Sequence, residues 1–175
     1  MAWQHETNMQ TGCHHLLYLD FDGVLHPSDV YRVPGVGPSL AGGYASRGHR
    51  LFEHAPQLVG LLKPYPHVRI VLSTNWVYVL GYDRTREHLP QELRERVIGA
   101  TYHSRMPPDA YELSSRGQQV WSDVQRRLPS AWLSLDDDDE LWPEAARRHW
   151  FQTDRDAGIG NCENELAKRL GQTFV

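Results

Sequence analysis

The chain has 175 residues, 40% of them hydrophobic and 23% charged, with a formal net charge of −4. That is the make-up of one compact folded domain spanning residues 1–175, and it excludes a fibrous, disordered or strongly basic chain. A domain of this size buries roughly 70% of its unfolded surface and needs neither disulfide nor metal merely to fold, so a metal bound here is there for function.

The first apolar run, Leu16-Leu17-Tyr18-Leu19, is short, bounded by polar residues, and reads as a buried strand ending at Asp20. From Gly23 to Arg50 no hydrophobic period is sustained and Gly and Pro recur, which predicts a flap of the lid or binding-loop kind rather than a core element. Leu51, Ala55, Leu58, Leu61 and Leu62 follow at helical spacing, and Val68–Leu72 is a second buried strand ending at Ser73. Weaker strands are predicted at Val97–Tyr102, Ala131–Leu135 and Trp150–Gln152, with helices around Leu89–Arg96, Val120–Leu128 and Cys162–Leu170. Alternation of strand and helix, with near-continuously apolar strands, predicts an α/β domain: a doubly wound parallel sheet of Rossmann-like type.

Neither cysteine, Cys13 or Cys162, has a CxxC or CxxH companion, and no apolar run approaches the roughly 18 residues of a membrane span. The polar stretch Met1–Thr11 lacks a signal pattern, so a reducing, cytoplasmic setting without membrane contact is expected. The acids Asp136–Glu140 more than account for the net charge, and the remaining surface is balanced, leaving no footprint for duplex nucleic acid.

Chemistry concentrates where strands end. Asp20 and Asp22 leave the first strand two residues apart and are followed by Gly23. Carboxylates placed there need compensation, and Mg²⁺, a hard ion held by carboxylates, water and phosphate oxygens, is the natural candidate. Taken alone, the pair reads better as a strand that simply ends in an acidic turn. Ser73 and Thr74 end the second long strand, where a hydroxyl commonly caps a helix. In a parallel sheet, however, neighbouring strands place their C-terminal ends on one ligand-binding edge.

The run Asp20-Phe21-Asp22-Gly23-Val24-Leu25 behind four apolar residues resembles the first motif of the haloacid dehalogenase-like hydrolase superfamily. The resemblance implies that Asp20 is a nucleophile forming an aspartyl-phosphate and that Asp22 is the general acid and base of the phosphatase branches. Ser73, with Thr74 beside it, matches the second motif and would bind phosphate, as would Gly23 and the backbone N–H groups after Asp20. The third motif is a cation near the start of a helix. Lys63 and Lys168 stand at unsuitable places, and Arg116 in Ser114-Ser115-Arg116-Gly117 has the right one, although the family more often carries Lys. The fourth motif, a strand ending in acids, matches Leu135-Asp136-Asp137, which would hold Mg²⁺ together with Asp20 and the backbone carbonyl of Asp22.

Spacing between motifs leaves no room for a large cap domain, so the chain resembles the capless members, and more narrowly the small domains fused to RNA-repair modules. The implied activity is Mg²⁺-dependent hydrolysis of a phosphomonoester, on a small molecule or a macromolecular end. A phosphotransferase or mutase using the same site, and a non-catalytic metal- or phosphate-binding module, are the alternatives. His26, following the first motif, is a candidate for substrate contact; Trp76 and Trp142 flank the second and fourth motifs.

Overall fold

The computed structural model describes residues 14–175, so the expectations for Cys13 and for Met1–Thr11 fall outside the described residues. From the N-terminal side, β1 (His15–Leu19) is followed by a hairpin of β2 (Val30–Val33) and β3 (Gly37–Leu40), then α1 (Gly42–Ser46) and α2 (Ala55–Leu62). Next, β4 (Val68–Leu72) runs into three short helices, α3 (Trp76–Leu80), α4 (Tyr82–Glu87) and α5 (Gln91–Arg94). After β5 (Val97–Ala100) come α6 (Pro108–Glu112), α7 (Arg116–Arg127) and β6 (Ala131–Asp136). The described chain closes with α8 (Glu144–Arg147), β7 (Trp150–Gln152), a 3₁₀ turn (Ile159–Asn161) and α9 (Glu163–Phe174).

Five strands form one sheet in the order β5-β4-β1-β6-β7, with every neighbouring pair parallel. The chain builds outward from β1 to β4 and β5, then returns to lay β6 and β7 on the other side. β1 therefore borders the switch point of a doubly wound sheet, the crevice where such folds bind ligands.

Alternation along β1 explains the two layers. Leu17 and Leu19 face a core shared with Leu58 and Leu62 of α2 and with Leu166, Leu170 and Phe174 of α9. Leu16 and Tyr18 face the opposite side, against Val120 and Val124 of α7, Trp132 and Trp142. Successive strand side chains point to opposite faces, so a strand covered on both is apolar throughout.

Register then sets the site. Leu19 pairs with Leu72 on one side and Leu135 on the other, so the residues that come next, Asp20, Ser73 and Asp136, lie along one edge of the sheet.

Two expectations need correction. The segment 23–50 is not a loop without structure: β2 and β3 pair antiparallel, with Val30 opposite Leu40, and α1 follows. Nor does the flap begin at Gly23. Val24, Leu25 and His26 are buried in the core, and only beyond them does the chain leave it. The hairpin leaves no sequence signal because Gly35, Gly37 and Pro38 interrupt any alternation in strands of four residues. Among the described residues no helix is long and apolar enough to cross a membrane.

Candidate active site

Asp20 lies at the centre of the sheet edge, 5% exposed, with one oxygen accepting the N–H of Phe21 at 2.8 Å. Asp136 ends β6 and is fully buried; its Oδ1 accepts the Asp138 N–H at 3.0 Å. Asp137 follows it, and carboxylate oxygens of Asp20, Asp136 and Asp137 approach within 4.8 Å of one another. Anions held so close in a low-dielectric crevice repel strongly.

Arg116 is the buried cation that offsets them. It opens α7, whose start is fixed by a capping box: Ser115 Oγ accepts the Gln118 N–H, and the Gln118 side chain accepts the Ser115 N–H. From there the guanidinium reaches Asp136 Oδ2 at 3.2 Å and Asp20 Oδ2 at 3.7 Å, while its third nitrogen donates to Gln119 at 3.0 Å. The exposed Arg155 adds a second cation, 3.4 Å from Asp137. Lys63 and Lys168 are exposed on α2's end and α9, away from the acids.

Even so, the carboxylates are undercompensated. Burial pushes the Asp20 carboxyl up to about 7, with Arg116 opposing the shift and Asp22 adding to it. Burial, and then Asp20, raise Asp136 well above the usual carboxylate range, and burial also raises Asp137 against the pull of Arg155. Three clustered hard-oxygen donors with unmet negative charge are the donor set of a divalent cation such as Mg²⁺, so the residues fit that ion.

The Asp22 carboxylate stands apart from this trio. It accepts from the indole N–H of Trp76 and contacts His26, and 30% of its side chain is exposed. Ser73 is buried, and its Oγ has no protein partner, an orphaned hydroxyl at the end of β4 beside β1. Thr74 Oγ1 instead accepts the Trp76 N–H at 3.3 Å. The N–H groups of Val24 and Leu25 both turn inward to the Phe21 carbonyl.

Gly23 is demanded twice over. Its φ of +70° lies in the left-handed region, and a Cβ there would run into the Asp137 carboxylate. Its carbonyl is held by buried Thr153, whose hydroxyl donates at 2.6 Å, so the segment after β7 braces the turn after β1. Gly23→Ala is expected to cost at least about 1–2 kcal/mol of stability from backbone strain alone and to displace Asp137. Thermal unfolding and divalent-metal titration of the variant check both parts.

The sheet edge thus brings Asp20, Ser73, Arg116, Asp136 and Asp137 together, with Asp22 on the outer side. A cavity of about 190 Å³ opens beside Asp22, lined by Tyr31, Arg32 and Pro38 of the hairpin and by Trp76 and Val79. A second, of about 510 Å³, takes in Arg116, Tyr111 and Asn75. A larger groove of about 690 Å³ along β5 contains none of these acids. Sequence reasoning left Arg155 and Thr153 unmarked, since neither belongs to a motif. Trp142, marked as flanking the acids, is buried and packs against Gly117.

No curated protein and no solved structure matches the chain. Over residues 16–163, however, it matches the family described as the HAD domain in Swiss Army Knife RNA repair proteins. With the motif residues converging on one edge of a five-stranded parallel sheet, and a match across most of its length, the chain belongs to that haloacid dehalogenase-like family.

Proposed function

We propose that this domain is a Mg²⁺-dependent phosphomonoesterase acting through an aspartyl-phosphate on Asp20, and that its substrate is a phosphorylated RNA end. The observation that carries the reading is the pairing of two acids in different settings: Asp20 buried beside Arg116, Asp136 and Asp137, and Asp22 at the mouth of an open cavity. Two carboxylates whose surroundings differ suit two roles, nucleophile and proton carrier. The family's description supports the choice of substrate.

Asp20, Asp136 and Asp137 would hold Mg²⁺, with the Asp22 carbonyl as a further oxygen donor, and the ion would supply charge neutralisation for the phosphoryl oxygens. Arg116 and the Ser73 hydroxyl orient the phosphoryl group by donating to its oxygens, where most phosphoryl-transfer catalysis lies. An Asp20 oxygen attacks phosphorus as the ester P–O bond breaks, and Asp22 delivers a proton to the departing oxygen. Asp22 then takes a proton from the water that attacks the aspartyl-phosphate, releasing phosphate and restoring both acids.

A screen with Mg²⁺ tests the reading, using sugar phosphates, nucleotides, phosphopeptides, and 5′- and 3′-phosphorylated oligoribonucleotides. Release of phosphate from an oligonucleotide end, at kcat/KM above that for the other classes, is the expected result. Activity confined to sugar phosphates or phosphopeptides would overturn the substrate, and no phosphate release from any class would overturn the phosphatase. An added alcohol acceptor that captured most of the phosphoryl group would redefine the enzyme as a transferase.

A further inference from the structure

Asp22 is not free to rotate. Two N–H groups from different parts of the fold meet on its carboxylate: the indole Nε1–H of Trp76, at the start of α3, lies 3.0 Å from both oxygens, and His26 Nε2 lies 3.0 Å from Oδ1. The other ring nitrogen of His26 accepts the backbone N–H of Phe52 at 3.1 Å. An amide N–H can only donate, so Nδ1 carries no proton, and the neutral ring presents Nε2–H to Asp22.

The arrangement is built rather than incidental. His26 is fully buried, its ring 5.0 Å from Phe52 and 5.9 Å from Trp76 between centroids. Phe52 holds a φ of +59°, an uncommon and strained backbone setting for a bulky residue, and stacks on His88 with planes 8° apart. That strained turn sits where its N–H meets the imidazole. Oδ1 of Asp22 thus receives two donors, while Oδ2 has only its share of the indole contact.

We infer that His26 is a positioning residue: with Trp76 it pins Asp22 through Oδ1 and leaves Oδ2 to carry the proton to the leaving oxygen. This rests on the phosphatase reading, in which the P–O bond electrons go to that oxygen and the proton comes from Asp22. Loss of the clamp therefore matters only where the leaving group needs a proton. An alkoxide does; a thiolate, far less basic, departs without one.

The test uses the full chain with Mg²⁺, a phosphorylated oligoribonucleotide, and the same oligonucleotide with sulfur in place of the bridging ester oxygen. The readout is kcat/KM, which ends at the first irreversible step and so excludes later hydrolysis of the phosphoenzyme. His26→Phe is expected to lower kcat/KM about 100-fold for the oxygen ester and to leave the sulfur ester within about threefold of wild type. His26→Gln, which keeps an N–H donor, should recover most of the oxygen-ester rate. Trp76→Phe, which removes the other donor and retains a ring, should show the same split even if His26→Phe does not fold. Equal losses on both esters would make His26 a packing residue, and unchanged rates on both would make the clamp idle; either result overturns the inference. A wild-type protein that cleaves neither ester overturns the phosphatase reading itself.

Discussion

Asp20→Asn is expected to abolish turnover and, in the metal-free protein, to raise stability. The amide keeps the side chain's volume and its acceptor for the Phe21 N–H, but it cannot form the acyl phosphate. Turnover should fall at least about 1,000-fold, roughly 4 kcal/mol in barrier, and a variant keeping more than about a tenth of wild-type activity, a change under about 1.4 kcal/mol, would show that Asp20 is not the nucleophile. Stability moves the other way because Asp20 is one of three crowded acids and burial already disfavours its charge. Arg116 retains Asp136 as a partner at 3.2 Å. A lower melting temperature in the metal-free variant would mean that the Arg116–Asp20 attraction outweighs this repulsion.

The second large effect is a linkage between pH and metal. Asp20 has a folded-state value of about 7 and Asp136 is also raised, whereas an unfolded Asp titrates at about 4. Between these values the folded protein binds more protons than the unfolded one, so unfolding free energy falls as pH rises. The contribution is fully present below about pH 4 and is lost as pH climbs through about 7. Melting temperature of the metal-free protein should therefore drop across that window. Mg²⁺ should restore stability at pH 8 far more than at pH 5, where it must first displace protons. A flat metal-free profile would show that the acids are not raised in the folded protein, and a Mg²⁺ effect equal at both values would show that they are not the ion's seat. Asp137→Ala provides a second check, since it should shrink the Mg²⁺ effect while leaving most of the pH dependence, which belongs to the deeper pair.

The strands were legible because a strand covered on both faces leaves a nearly continuous apolar run, as in Leu16–Leu19 and, interrupted only by the exposed Arg69, Val68–Leu72. Their ends carried the chemistry with them, so once β1, β4 and β6 are neighbours, Asp20, Ser73 and Asp136 meet without further information. Arg116 was readable from its place at a helix start, which the Ser115 cap fixes. Of the short helices after β4, α5 lies within the helix expected around Leu89–Arg96, but α3 and α4 were not readable. Trp76–Leu80 has five residues, too few to display a period, and it takes its form from packing against Phe21 and Phe52. The Asp22 clamp was hidden for a different reason. Trp76, His26 and Phe52 come from separate segments of the chain; His26, a candidate for substrate contact, is instead fully buried, and only the fold sets its N–H and that of Trp76 against one carboxylate.

The sheet order also governs when the site comes into being. β1 pairs with β4 and with β6, and the second pairing joins segments from opposite ends of the chain. Parallel pairings across such separations close slowly, because the loop entropy must be met before any contact forms. A nascent or truncated chain ending before β6 already owns Asp20, Asp22 and Ser73 but has neither Asp136 nor Asp137 beside them. It therefore holds a nucleophile without the acids that would seat an ion, and the mutual repulsion of the three carboxylates is met only when β6 docks against β1.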